Sequence, residues 1–214
     1  MKIPVMRRDL NLSNKGLLVV VSGPSGCGKD TVIAHYARSN PDIRLSVSAT
    51  TRGMRDGEID GADYHFITND EFTYLIENDG LLEFAKYAGN WYGTPKKAVD
   101  DWIEDGKTVI LIIEVQGGAK IKGMYPDAVS IFLLPPSLEV LEKRLRGRAT
   151  DSEDSIKKRL DTSVGEINCA YHYDYVVIND EIGNAVDEIS TIIEAEKLKT
   201  KRLENVIKGV IENV

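Results

Sequence analysis

The stretch Gly23-Pro24-Ser25-Gly26-Cys27-Gly28-Lys29 constrains the fold more than any other part of the chain. It follows an apolar run, Leu17-Leu18-Val19-Val20-Val21, and leads into Thr31-Val32-Ile33-Ala34-His35-Tyr36. A short continuous run rich in β-branched residues reads as a strand buried on both faces, and the segment after the loop fits a helix. A G-x-x-x-x-G-K spacing between strand and helix suits phosphate binding. The glycines let backbone N–H groups converge on phosphate oxygens, the helix N-terminus adds positive potential, and the lysine reaches the terminal phosphates. A glycine-rich structural turn is the alternative, disfavoured by the strand before and the helix after. Candidate phosphate contacts are Gly23, Pro24, Ser25, Gly26, Cys27, Gly28, Lys29, Asp30 and Thr31. The general motif carries Ser or Thr after the lysine, where this chain has Asp30. A carboxylate beside phosphates is repulsive unless positive groups intervene. Thr31 is therefore expected to supply the hydroxyl contact, with Asp30 facing away or assisting a metal.

Three further buried-strand candidates follow, at Thr108–Ile113, Val129–Leu134 and Tyr175–Ile178. Asp105-Gly106 is a helix stop before the first of them. Strands alternating with helical stretches indicate a parallel sheet covered on both faces, an α/β fold. From about Ser48 to Lys97 the chain is instead polar, turn-rich and aromatic, as an inserted mixed subdomain would be. From about Ser137 to Ala170 it is helical and rich in Arg and Lys, with Ser137 and Ser152 as N-cap candidates. Val186, Ile189, Ile193, Val206, Ile207, Val210 and Val214 give the period of one long amphipathic C-terminal helix.

The 214 residues suit one α/β domain with insertions, and a net charge of −7 argues against non-specific nucleic-acid binding. Cys27 and Cys169, the only two cysteines, imply no disulfide framework. Nothing reads as a signal peptide or a membrane span, so a cytosolic protein is expected. His35, His65 and His172 lack metal-ligand spacing and read as structural or surface residues. Trp91 and Trp102 read as packing residues. Cys27 reads as incidental, though it would make the loop sensitive to thiol reagents.

The segment from Ser48 to Phe66 carries Arg52 and Arg55, several hydroxyls and Tyr64. Guanidinium forks match phosphate oxygens, so this is a plausible phosphate grip; a charged surface loop is the equally open alternative on chemistry alone. Arg144 and Arg148, at i and i+4, can share a helix face, and Arg159 lies on the next helical stretch. By themselves such charges are usually a solvated basic face.

Taken together, Gly23–Lys29, Ser48–Phe66, Glu83-Phe84-Ala85, Asn90-Trp91-Tyr92-Gly93-Thr94, Glu114-Val115-Gln116-Gly117 and Pro135-Pro136-Ser137 resemble the guanylate kinases, in order and spacing, from about Gly16 to Leu198. The resemblance implies a P-loop NTPase fold: a parallel sheet flanked by helices, with a mixed α/β GMP-binding subdomain and a helical lid. It implies an N-terminal extension at 1–16, a core at 17–47, 98–136 and 171–198, an acceptor subdomain at 48–97, a lid at 137–170 and a C-terminal helical extension at 199–214. The implied activity is transfer of the γ-phosphate of ATP to GMP, with dGMP a further acceptor and Mg²⁺ carried mainly by the nucleotide. Arg52, Arg55, Tyr64 and Tyr92 would hold the GMP phosphate, and Ser48, Glu83, Thr94 and Glu114 would read guanine. A carboxylate accepts from guanine N1–H and its amine, whereas adenine would leave it unpaired; the hydroxyls of Ser48 and Thr94 suit O6. Arg144, Arg148 and Arg159 match lid arginines that close over the transferring phosphate, acting with Lys29 and Arg52. Asn179 matches a residue near the adenine of ATP. One departure stands out: the family carries acids on both sides of the strand-end hydrophobe, and here the first is Ile112. Two other readings remain. A non-catalytic interaction module of the same fold conflicts with the intact Gly28, Lys29 and lid arginines. A same-fold kinase for another phosphorylated acceptor, such as a sugar phosphate, conflicts with the guanine-reading set. Monomer and homo-oligomer are both open.

Overall fold

The computed structural model describes residues 16–87, 89–147 and 153–212. The expected N-terminal extension up to residue 15, the candidate cap Ser152 and the lid residue Arg148 lie outside them. In chain order the strands are β1 (Leu17–Ser22), β2 (Ile43–Leu45), β3 (Ala49–Thr50), β4 (His65–Phe66), β5 (Leu81–Tyr87), β6 (Asn90–Pro95), β7 (Thr108–Ile112), β8 (Val129–Leu134) and β9 (Tyr175–Ile178). The helices are α1 (Lys29–Arg38), α2 (Asn69–Glu77), α3 (Lys96–Glu104), α4 (Val115–Met124), α5 (Leu138–Arg146), α6 (Glu153–Asn168), α7 (Ile182–Lys197) and α8 (Glu204–Glu212).

Five strands form one sheet in the order β2-β7-β1-β8-β9, every pairing parallel. All six residues of β1 are buried, and their alternation divides the core in two. Leu17, Val19 and Val21 face Val32, Ile33 and Tyr36 of α1, Leu141 and Leu145 of α5, and Ile189 and Ile193 of α7. Leu18 and Val20 face Val99 and Ile103 of α3 and Ile121 of α4. A strand buried on both faces is a continuous apolar run, which is why β1, β7 and β8 stand out in the sequence.

Three expectations are corrected. Strand β2 is additional; its three half-buried residues pair with Thr108, Val109 and Ile110 of β7. Strand β9 is an edge strand with one exposed face, Val176 being 47% and Ile178 51% accessible. The long C-terminal helix is interrupted: after α7 comes a short 3₁₀ turn, Thr200–Arg202, and then α8. The break lets Arg202 Nη2 donate to the Asp127 carbonyl (2.7 Å) and Lys201 pair with the Asp127 carboxylate (2.7 Å). Just before it, buried Glu196 accepts from the Tyr175 hydroxyl (2.6 Å) and pairs with Lys199 (2.7 Å), which satisfies its charge.

The second sheet, β4-β3-β6-β5, is mixed. Helix α2 covers it, started by a capping box in which Thr68 accepts from Glu71 N–H and Glu71 accepts from Thr68 N–H. Phe72 of α2 is fully buried and stacks on Trp91 of β6 at 5.9 Å; Phe84 of β5 meets the same indole edge-on. Leu82 of β5 joins the α3/α4 core cluster.

Candidate active site

The carboxyl ends of the parallel strands bring the site together. β1 runs into Gly23, β7 into Glu114 and β9 into Asn179. β1 sits between β7 and β8, so the loop after it opens where the chain switches direction across the sheet, the usual place for a ligand in such folds.

Gly28 enters α1 with φ +96°, and a Cβ there would lie 2.6 Å from the side-chain nitrogen of Asn179, so only glycine fits. Lys29 opens α1; its ammonium donates to the carbonyls of Gly23 (2.7 Å) and Pro24 (3.3 Å). Cys27 is fully buried and burial pushes its thiol pKa up. The expected sensitivity to thiol reagents is therefore corrected, because the nucleophilic thiolate is both shielded and disfavoured. Asp30 and Thr31 are exposed on the first turn of α1. The charge of Asp30 is felt at Tyr64, whose hydroxyl pKa is raised by burial first, then by Tyr92 and Asp30.

Tyr64 leads to the acceptor side. Its ring lies edge-on to Tyr92 at 5.9 Å, and the Arg52 guanidinium sits 5.5 Å from the centres of the Tyr64 and Phe66 rings. Arg52 makes a two-pronged contact with Glu58, Nη2 to Oε1 at 2.6 Å and Nη1 to Oε2 at 3.0 Å, and donates to the Gly53 carbonyl at 2.7 Å. Glu58 also accepts from the backbone N–H of Arg55 (2.7 Å), leaving the Arg55 side chain exposed on the same turn. Arg52 holds the Glu58 carboxyl below its ordinary range. Glu58 was given no role from sequence; its only signal is an acid six positions after an arginine in a glycine-rich turn.

On β5, Glu83 is half-buried. The Thr94 hydroxyl of β6, itself 1% exposed, donates to its Oε1 at 2.7 Å. A carboxylate only accepts, so the single hydroxyl proton of Thr94 is committed to Glu83 in this state. Thr94 thus orients the carboxylate, and Ser48 is half-buried. The other carboxylate oxygen lies over Gly117 of α4, where a Cβ would come within 3.1 Å. Burial raises the Glu83 pKa and the charge of Glu114 adds to it, opposed by Thr94 and Lys120. Glu114, at the N-cap of α4, is exposed toward the same space.

From the lid side, Arg144 of α5 donates to the carbonyls of Cys27 (3.1 Å) and Asn179 (2.8 Å). Asn179, 4% exposed, donates through Nδ2 to the same Cys27 carbonyl at 2.7 Å. Both residues therefore hold the loop backbone, beyond the phosphate and adenine contacts that the sequence led us to expect. Glu166 of α6 also reaches the loop. Its Oε2 is buried without a hydrogen-bond partner among the described residues, and its pKa is raised by burial and by Glu114, opposed by Ser25 and Lys29 of the loop. Nothing in the sequence singled it out. Arg159 lies seven positions before Glu166, hence on the same face of α6. His35, His65 and His172 are exposed.

The guanylate kinase family model matches residues 15–196. The guanylate kinase of Desulfitobacterium hafniense is 49% identical over 197 residues, covering 92% of this chain and 98% of its own. That of Onion yellows phytoplasma is 48% identical over 207 residues, covering 95% and 98%. This chain belongs to the guanylate kinase family. Among solved structures, the guanylate kinase of Anaplasma phagocytophilum aligns with a TM-score of 0.74 at 38% identity, covering 89% of this chain and 91% of that one. The family fold, a P-loop core with an inserted acceptor sheet, is the arrangement described above. Within it, the charge of Asp30 is felt at Tyr64, and half-buried Ile112 packs against the core cluster under α1.

Proposed function

We propose that this guanylate kinase family member transfers the γ-phosphate of ATP to GMP, giving ADP and GDP. The observation that carries the reading is the Glu83 carboxylate, fixed by the Thr94 hydroxyl and set over Gly117. Such a group accepts from guanine N1–H and its amine, and adenine offers no equivalent pair of donors. Residues 48–97 serve as the acceptor subdomain and 137–170 as the lid on a core made of 17–47, 98–136 and 171–198.

The phosphate-loop N–H groups and Lys29 receive the β- and γ-phosphates once the lysine leaves the Gly23 and Pro24 carbonyls. Arg52, Arg55, Tyr64 and Tyr92 hold the GMP phosphate. Arg52 is already aimed by Glu58 and by the aromatic rings, so little side-chain entropy is lost on binding. Transfer is in line: a GMP phosphate oxygen forms a bond to the γ-phosphorus as the bond to the β–γ bridging oxygen breaks. The attacking oxygen is already anionic, so no general base is needed, and catalysis is positioning plus charge neutralisation. Lys29, Arg52, Arg148 and Arg159 supply that charge, with Arg144 beside them at the loop. The oxygens of Asp30, Thr31 and Glu114 are hard donors that suit Mg²⁺, which prefers oxygen ligands and keeps several waters. Bound with ATP, the ion would offset phosphate charge. Among the described residues, no helix is long and apolar enough to cross a membrane.

The test is ADP formation with Mg-ATP and GMP, AMP, UMP or no acceptor. Turnover that requires GMP is expected. Turnover with another acceptor and none with GMP would overturn the reading.

A further inference from the structure

The side chains of Arg144 and Asn179 converge on one carbonyl. Cys27 O accepts from Asn179 Nδ2 (2.7 Å) and from Arg144 Nη1 (3.1 Å). The second arm of Arg144 grips the Asn179 carbonyl (2.8 Å), and Asn179 N–H is tied to Leu134 at the end of β8 (2.8 Å). The anchor is therefore rigid: the sheet end fixes Asn179, Asn179 fixes Arg144, and both hold the loop.

In a trans peptide the carbonyl and the following N–H point in opposite directions. Holding Cys27 O on the sheet-and-lid side turns Gly28 N–H toward the mouth of the loop. Among the described residues, these two side chains are the ones that bond the Cys27 carbonyl. A peptide flip at this point changes ψ of Cys27 and φ of Gly28, and glycine tolerates φ of either sign. Flipped, the loop would present a carbonyl oxygen to a phosphate oxygen. We propose that Asn179 and Arg144 are positioning residues for ATP, acting as a clamp that keeps the Cys27–Gly28 peptide in its phosphate-binding orientation. The clamp also couples the lid to the loop, because Arg144 belongs to α5.

This deepens the reading of the loop as the ATP site, and its test uses a probe without a base. Inorganic tripolyphosphate and ATP, each with Mg²⁺, are titrated calorimetrically into wild type, Asn179→Ala, Asn179→Asp and Arg144→Lys. Asn179→Asp has nearly the same shape, which guards against a folding failure, but it loses the donor and sets a carboxylate against the carbonyl. Arg144→Lys keeps the charge but not the fork. Tripolyphosphate and ATP affinities are both expected to fall about tenfold or more in the Asn179 variants, and GMP affinity to stay within about twofold. The Gly28 amide resonance should shift on adding tripolyphosphate to wild type and not to Asn179→Asp. If ATP binding weakens and tripolyphosphate binding does not, Asn179 touches only the base and the clamp is wrong. An equal loss of GMP affinity would mean general damage, and would overturn it as well. Because no acceptor is present in the tripolyphosphate titration, it reads the clamp even if the protein proves inactive with GMP.

Discussion

Glu83 illustrates how a single carboxylate trades stability for recognition. Burial and the neighbouring charge of Glu114 raise its pKa against the pull of Thr94 and Lys120. A carboxyl whose folded pKa lies above its unfolded value stabilises the fold below the unfolded value and loses that contribution as pH rises through the folded one. Wherever Glu83 is ionised in the fold it therefore costs stability, and Glu83→Gln should melt no lower than wild type. On the proposed reading, recognition runs the other way, because only a carboxylate could accept from both guanine donors. Guanosine has no phosphate to titrate and isolates the effect. Its affinity should fall on acidification, beginning above the ordinary glutamate range of about 4.3. Glu83→Gln should weaken guanosine about a hundredfold and flatten this profile. A profile in Glu83→Gln identical to wild type would exclude Glu83 as the reader. Glu58 makes the matching case on the phosphate side. It occupies the fork of Arg52 and the N–H of Arg55 together, so Glu58→Gln should raise the KM for GMP about tenfold by loosening that geometry. KM for ATP should not change, and an unchanged KM for GMP would show that Arg52 needs no such support.

Among the elements, what the sequence reveals follows from how each one is buried. β1, β7 and β8 have apolar neighbours on both faces and announce themselves as runs. β2 has three half-buried residues and owes its existence to pairing with β7, a non-local contact that no local pattern carries. The C-terminal periodicity continues through the break between α7 and α8, because the interruption comes from distant contacts to Asp127. The site divides the same way. The phosphate loop and the Glu83 and Arg52 motifs are legible because they are contiguous in the chain. Glu166 and the Asn179–Arg144 clamp are assembled from segments far apart, so residue type and spacing say nothing of them. The acceptor sheet has small strands and depends on α2, specifically on Phe72 stacked against Trp91. Phe72→Ala should cost about 3–5 kcal/mol, with the loss concentrated in this sheet. Urea unfolding followed by Trp91 and Trp102 fluorescence should show an early transition that removes GMP binding while ATP binding persists. A single transition that abolishes both would mean that the two sheets unfold as one unit.

On the scale of the whole molecule, the two sheets form separate layers linked by two chain crossings, near Ser46–Ser48 and at Pro95–Lys96, with Leu82 seated in the α3/α4 cluster. On the proposed reading, the acceptor groups and the phosphate loop face each other across a cleft, and the charge of Asp30 is felt at Tyr64. Asp30 and the phosphates of both substrates repel one another across this cleft, so the open state should be favoured until cations and both nucleotides fill it. On the proposed reading, closure would then bring Arg52 and the lid arginines onto the transferring group and exclude water. Labels at exposed Gly53, on the acceptor side, and exposed His35, on α1, would report it. Cys169 must be replaced, whereas Cys27 is buried with its thiol held protonated and should not react. The distance between Gly53→Cys and His35→Cys should shorten by several ångströms, roughly the scale of hinge closure, when GMP and a non-hydrolysable ATP analogue bind together. Each ligand alone should give less, because each removes only part of the repulsion or supplies only one half of the bridge. An unchanged distance with both ligands bound would mean that the cleft is fixed. The lid alone would then have to exclude water, and the charge of Asp30 would have to be neutralised in place, which Asp30→Ser would reveal as a lower KM for both nucleotides.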